Sequence, residues 1–111
     1  SQVINWSHNN RIVRFRLPVG VSYNEDPEVV KKLLLEVADE NPNVQKEPKP
    51  KVFFDNFGDS SLDFRLGIWT SSYTDKPEFL KSEIYFAIFK KFRENNIQIP
   101  YPQRDVHIKS K

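Results

Sequence analysis

Apolar residues alternate along the first patterned stretch of the chain. From Arg11 to Tyr23, the residues Val13, Phe15, Leu17, Val19, Val21 and Tyr23 fall on one side, with Arg14 and Arg16 on the other. This period of two predicts a half-buried strand. Pro18 lies on the polar side, where it predicts a bulge or a switch of pairing. The period then changes. Asp26-Pro27-Glu28 offers a cap, a first-turn proline and a favourable charge for a helix N-terminus. Val30, Leu33, Leu34, Val37 and Ala38 recur at helical spacing as far as Asn41-Pro42, which ends the helix.

Asn43 to Pro50 reads as a charged, proline-punctuated loop, and a second strand is expected over about Lys51 to Asn56. Phe57 to Ser61 turns the chain back, with Asp59 and the serines expected to hydrogen-bond the backbone. The third strand alternates, with Leu62, Phe64, Leu66 and Ile68 inward and Asp63, Arg65, Gly67 and Trp69 outward. A second helix, from about Pro77 to Asn95, carries Leu80, Ile84, Ala87, Ile88 and Phe92 on one stripe, and Tyr101 to Ile108 supplies a fourth strand. The element order predicts an α+β fold, a ferredoxin-like βαββαβ sandwich: a four-stranded antiparallel sheet with two helices on one face. Right-handed crossovers put the first and third strands at its centre. Val13, Phe15, Leu17, Leu33, Leu34, Leu62, Phe64, Leu66, Ile84 and Ile88 are the expected core.

The most constrained segment is the exit from the second helix. Asn95 and Asn96 can adopt the left-handed conformation that closes a helix. Pro100 and Pro102 then forbid helical continuation and hold Ile99 and Tyr101 extended. The chain therefore leaves the helix at a fixed angle and enters the last strand.

Composition narrows the function classes. With 111 residues there is room for one core. The formal charge of +2, from 17 basic and 15 acidic residues, gives no long-range field for nucleic acid or anionic lipid. No apolar run approaches the roughly 20 residues that cross a bilayer. There is no cysteine, so neither disulfides nor thiol chemistry enter. There is no methionine either, and a chain opening Ser-Gln-Val-Ile-Asn-Trp reads as a piece of a longer protein.

His8 and His107 are the only histidines and are far apart, so no metal set is expected. The acidic turn Asp55 to Asp63 has Phe57 where a calcium loop needs a ligand, and reads as a hairpin. Gly20, Gly58 and Gly67 are too scattered for a phosphate-cradling loop. No enzyme is therefore expected: no catalytic, cofactor-binding or metal-binding residue is assigned. Arg14, Arg16, Arg65 and Trp69 could form a base-stacking platform, but the aromatic-rich strand such domains need is absent, and Phe15 and Phe64 point inward. No nucleic-acid partner is expected.

The helix end Phe92-Arg93-Glu94-Asn95-Asn96 and the following Ile99-Pro100-Tyr101-Pro102-Gln103-Arg104 resemble the end of the cytoplasmic domain of the small-conductance mechanosensitive channel (MscS) family. Asn5-Trp6-Ser7 resembles that family's exit from its middle β-domain. Val19-Gly20-Val21-Ser22-Tyr23 with Asp26 resembles its first strand and helix cap, and Phe57-Gly58-Asp59-Ser60-Ser61-Leu62 its central hairpin. The family's membrane-spanning pore has no counterpart in this chain.

The resemblance implies a division into residues 1–10, the end of the middle β-domain with its linker, and 11–111, the cytoplasmic α-β domain. It implies a vestibule part of a mechanosensitive ion channel that answers osmotic stress. Such subunits form a homo-oligomeric ring on the cytoplasmic side of the inner membrane, held to it by missing upstream transmembrane helices. The domain would form the wall of a cage below the pore, contribute to assembly, and let ions and small solutes pass. Trp6, Tyr85, Phe89, Pro100, Tyr101, Pro102 and Gln103 are the candidate structural or interface residues. The alternative is a free-standing ferredoxin-like regulatory domain that binds a small ligand at a sheet-mediated dimer interface.

Overall fold

The computed structural model describes residues 12–72 and 76–100. Its elements are β1 (Val13–Val21), α1 (Pro27–Glu40), β2 (Lys51–Phe57), β3 (Leu62–Thr70) and α2 (Pro77–Glu94). The three strands form an antiparallel sheet in the order β1-β3-β2, and both helices share one core with the inward face of that sheet. The expected fourth strand, Tyr101 to Ile108, lies outside the described residues, as does Ser1 to Asn10.

The first helix and the hairpin start and stop for local reasons. At the start of α1 the Glu28 backbone N–H donates to the Asp26 carboxylate at 2.9 Å, with Pro27 in the first turn. These are the cap and proline read from the sequence. The helix ends at Asn41, whose N–H donates to the Ala38 carbonyl, and whose side-chain oxygen accepts from the Asn43 N–H at 2.8 Å. At the hairpin, the Gly58 N–H donates to the Ser61 carbonyl at 2.6 Å. A Cβ on Gly58 would lie 2.6 Å from Asp63 Oδ2 and 3.1 Å from the Ser61 carbonyl oxygen, so close approach is what requires glycine there.

The alternation read from the sequence sorts the sheet faces correctly. Phe15, Leu17, Val19 and Val21 of β1 and Leu62, Phe64, Leu66 and Ile68 of β3 are buried. They meet Val30, Leu33, Leu34, Val37 and Ala38 of α1 and Leu80, Ile84, Ile88 and Phe92 of α2. Val13 and Ala87 pack at the margin of this core. The one buried polar side chain among the described residues, Thr70, donates its hydroxyl to the Asn43 carbonyl at 2.6 Å and accepts from the Ser72 N–H at 2.9 Å. Its burial therefore leaves no unmatched group.

Three expectations need correction. Pro18 causes no bulge: the β1–β3 register runs from Val13↔Thr70 to Val21↔Leu62 without a break, and Pro18 simply faces Arg65. The irregularity is instead in β2, between Phe54 and Asn56, where the extra residue Asp55 forms an ion pair with Arg65 at 3.3 Å. Tyr23 is not an inward strand residue. It follows β1 in a turn, is half exposed, and donates its hydroxyl to the Gly58 carbonyl. Finally, the side-chain bond of the hairpin is not to the backbone, because the Ser61 hydroxyl donates to Asp63 Oδ1 at 2.7 Å.

Candidate functional site

Three surfaces carry the residues singled out by the sequence: the exit from α2, the outer side of α2, and the open face of the sheet on the opposite side of the core. At the exit, Asn96 has φ 60°, the left-handed conformation anticipated for an asparagine after a helix. The Asn96 N–H donates to the Arg93 carbonyl at 3.2 Å and the Ile97 N–H to the Phe92 carbonyl at 2.8 Å. This pair of bonds is a Schellman closure, and Ile97 packs against the core that holds Phe92.

The next residue is clamped from both sides. The Gln98 N–H donates to Glu25 Oε2 at 2.9 Å, and the Gln98 carbonyl accepts from the Ser22 N–H at 2.8 Å. The segment leaving α2 is therefore tied to the turn that leaves β1. Two prolines alone would stiffen the exit. The two clamping bonds also fix where it lies, and no local signal announces them, because Glu25 and Gln98 are 73 positions apart. Pro100 ends the described segment, half-buried. Tyr101, Pro102, Gln103 and Trp6 lie outside the described residues.

Tyr85 and Phe89 are both on α2 but do not act as a pair. The Tyr85 hydroxyl donates to the Pro18 carbonyl at 2.8 Å, pinning the helix to β1, and burial holds its pKa above the ordinary tyrosine value. Phe89 is 50% exposed, with the Arg93 guanidinium 5.6 Å from its ring centroid. Phe86, 75% exposed, extends the same aromatic surface. Sequence reading missed Phe86 because it falls outside the spacing of four that drew attention to Tyr85 and Phe89.

The helices are fastened to each other by charge. Lys91 of α2 lies 2.9 Å from Glu40 and 3.5 Å from Glu36, both on α1. The hydrogen bond to Glu40 is the main reason its pKa is raised. Asn41 adds a bond from its amide to Glu83 Oε1 at 3.3 Å.

The open sheet face holds Arg14, Arg16, Asp63, Arg65 and Trp69, as the alternation predicts, and β2 adds Lys51 and Phe53. Phe53 lies under the Arg65 guanidinium, 4.7 Å from its carbon to the ring centroid. Among the described residues no group of three or more His, Cys, Asp or Glu side chains is arranged to hold a metal ion. No helix among them is long and apolar enough to cross a membrane.

The described residues thus form a helix-backed, three-stranded antiparallel sheet whose second helix ends in an exit tied back to the turn after β1. Residues 15–99 match the model of the family described as "Mechanosensitive ion channel MscS, C-terminal". The chain belongs to this MscS family, in its C-terminal part. It is 38% identical over 109 residues to an uncharacterised MscS family protein of Haemophilus influenzae, covering 98% of this chain and 10% of that protein. It is 37% identical over 107 residues to the mechanosensitive channel MscK of Escherichia coli, covering 96% of this chain and again 10% of the relative. Among solved structures, Helicobacter pylori MscS in its closed state superposes with a TM-score of 0.73 at 28% identity, over 84% of this chain and 36% of that one. The chain thus spans about a tenth of these two curated relatives.

Proposed function

We propose that this domain forms part of the wall of a cytoplasmic vestibule beneath the pore of a mechanosensitive ion channel. Its parent is held to the inner membrane by upstream transmembrane helices, and copies of the domain stand in a ring around a chamber through which ions and small solutes pass. Membrane tension acts on the spanning helices, and the domain contributes assembly and support rather than sensing or chemistry. In this reading residues 1–10 belong to the preceding β-domain, and Tyr101 to Ile108 supplies the fourth strand of a ferredoxin-like sandwich.

The observation that carries this reading is the strapped exit. A wall element must hold its connections at a fixed angle under load, and the Schellman closure at Asn96 with the Ser22 and Glu25 bonds to Gln98 does so. Pro100, Tyr101, Pro102 and Gln103 are the structural or interface residues of that exit in this reading. Trp6 and Phe89 are the neighbour-facing residues in this reading. Tyr85, whose hydroxyl is engaged by Pro18, acts within the subunit.

Light scattering tests the proposal. This chain alone is expected to be monomeric or weakly associated, because inter-domain surfaces of this kind are marginal in isolation. A longer chain that restores the upstream β-domain should form a closed cyclic oligomer. A tight dimer of the short chain, unchanged by the extension, would replace the vestibule reading with the regulatory-dimer alternative.

A further inference from the structure

The open face of the sheet contains a basic depression that the wall role does not use. In the antiparallel register Arg16 and Lys51 both lie opposite Gly67, Arg14 lies opposite Trp69, and Phe53 lies opposite Arg65. A residue with no side chain thus sits amid long ones, and the gap is a depression of about 330 Å³. Gly67 itself is buried between the flanking side chains, and a Cβ there would meet nothing nearer than the Lys51 carbonyl oxygen at 3.8 Å.

The charge around this gap is one-sided. Arg14, Arg16, Arg65 and Lys51 line it, and Asp55 neutralises only Arg65. Among the described residues, Arg14, Arg16 and Lys51 have no carboxylate partner. Guanidinium groups favour phosphate because two N–H bonds can reach two oxygens at once. Half-buried Trp69 adds a flat apolar wall beside Arg14, a surface on which a planar ring can stack.

We propose that this depression binds a small phosphorylated ligand with a planar ring, of the nucleoside polyphosphate class. The phosphates lie between Arg16, Lys51 and the partly exposed Arg65 guanidinium, and the ring lies against Trp69. The inference is independent of the vestibule reading, since it needs only the exposed sheet face.

The test is a titration of the protein with ATP, followed by backbone amide and indole N–H NMR, with inorganic tripolyphosphate as the ring-free probe. ATP should saturate, moving the amides of Arg16, Lys51 and Gly67 and the Trp69 indole N–H. Tripolyphosphate should move the same amides about tenfold more weakly, because it forgoes the stacking. Arg16→Glu and Gly67→Val should each weaken ATP binding by about tenfold or more. Val has a high strand propensity and a Cβ at Gly67 meets nothing nearer than 3.8 Å, and the thermal midpoint of Gly67→Val, measured beside the titration, separates a filled depression from a disturbed fold. Lys46→Glu, outside the depression, should leave ATP affinity unchanged. Three results would overturn the proposal: shifts that never saturate, a loss in Lys46→Glu equal to that in Arg16→Glu, or movement of these resonances with protein concentration in the absence of ligand. The last would make the face a contact between copies.

Discussion

β1 and β2 flank the same strand and run antiparallel to it, yet β1 supplies four buried core residues and β2 none. On β1 every inward residue from Phe15 to Val21 is buried, and the pairing to β3 is continuous. On β2 Val52 is partly buried against the core, the register slips after Phe54, and Phe53, Phe54 and Phe57 remain exposed. Composition does not explain this, because β2 contains more aromatic residues than β1. The inward side chains explain it. β1 sends Phe15, Leu17, Val19 and Val21 inward in unbroken register, whereas β2 sends in Val52 and a half-exposed Phe54, which stacks on the core residue Phe64 at 4.8 Å and meets Phe57 at 5.2 Å. An apolar strand is stabilising only in proportion to the area that something else removes from water.

The sharpest way to break this comparison is to truncate residues at the two positions. Leu66→Ala or Leu17→Ala, both fully buried, should cost about 2–5 kcal/mol. Phe57→Ala, at a side chain 72% exposed, should stay within about 0.5 kcal/mol of the parent. Urea unfolding of the three variants decides the matter, and equal losses would mean that β2 is covered as well as β1.

Thr70 offers a test of the polar end of β3. Thr70→Val keeps the shape but leaves the Asn43 carbonyl without its donor, so a loss of roughly 1–3 kcal/mol is expected. Thr70→Ser should recover most of it, which separates the hydrogen bond from the packing. At the hairpin that joins β2 to β3, Gly58→Ala should cost about 1–2 kcal/mol through the approach of Asp63 and Ser61. Adding Asp63→Ala should return part of that loss, because the nearest obstacle is the Asp63 carboxylate. Full additivity of the two changes would show that the carboxylate is not the obstacle.

The smallest expected effect is alkaline. Tyr85 and Lys91 both have pKa values raised in the folded state, Tyr85 by burial and Lys91 chiefly by its hydrogen bond to Glu40. In each case the folded state holds the proton more tightly than the unfolded chain. Their contribution is therefore complete below the unfolded pKa values, near 10 and 10.5, and is lost as pH rises through the folded ones. Thermal midpoints from pH 8 to 11 should fall more steeply for the parent than for Tyr85→Phe with Lys91→Met. Parallel curves would assign the alkaline loss to other groups.

Much of this architecture was legible in the chain. The period of two in β1 and β3, the period of 3.6 in both helices, the Asp26 cap and the left-handed Asn96 are local properties, set by sterics and by the choice of which face is apolar. Local rules also erred in instructive ways. Pro18 was expected to disturb β1, but it takes its place opposite Arg65 without a break in register, and the bulge appears in β2 with no proline to mark it. Tyr23 continued the alternation on paper, but β1 had already ended.

What only the tertiary structure decided is which distant groups meet. Gln98 is clamped by Ser22 and Glu25, Tyr85 by Pro18, and Lys91 by Glu36 and Glu40, across separations that no periodicity encodes. The same holds for the basic depression. The sequence determined that Arg14, Arg16, Arg65 and Gly67 share the outward face, because side chains alternate with a fixed period along a strand. It did not determine that Arg16 and Lys51 would both face Gly67, because cross-strand register depends on how the hairpin and the bulge align separate segments, and is settled only when the helices cover the other face.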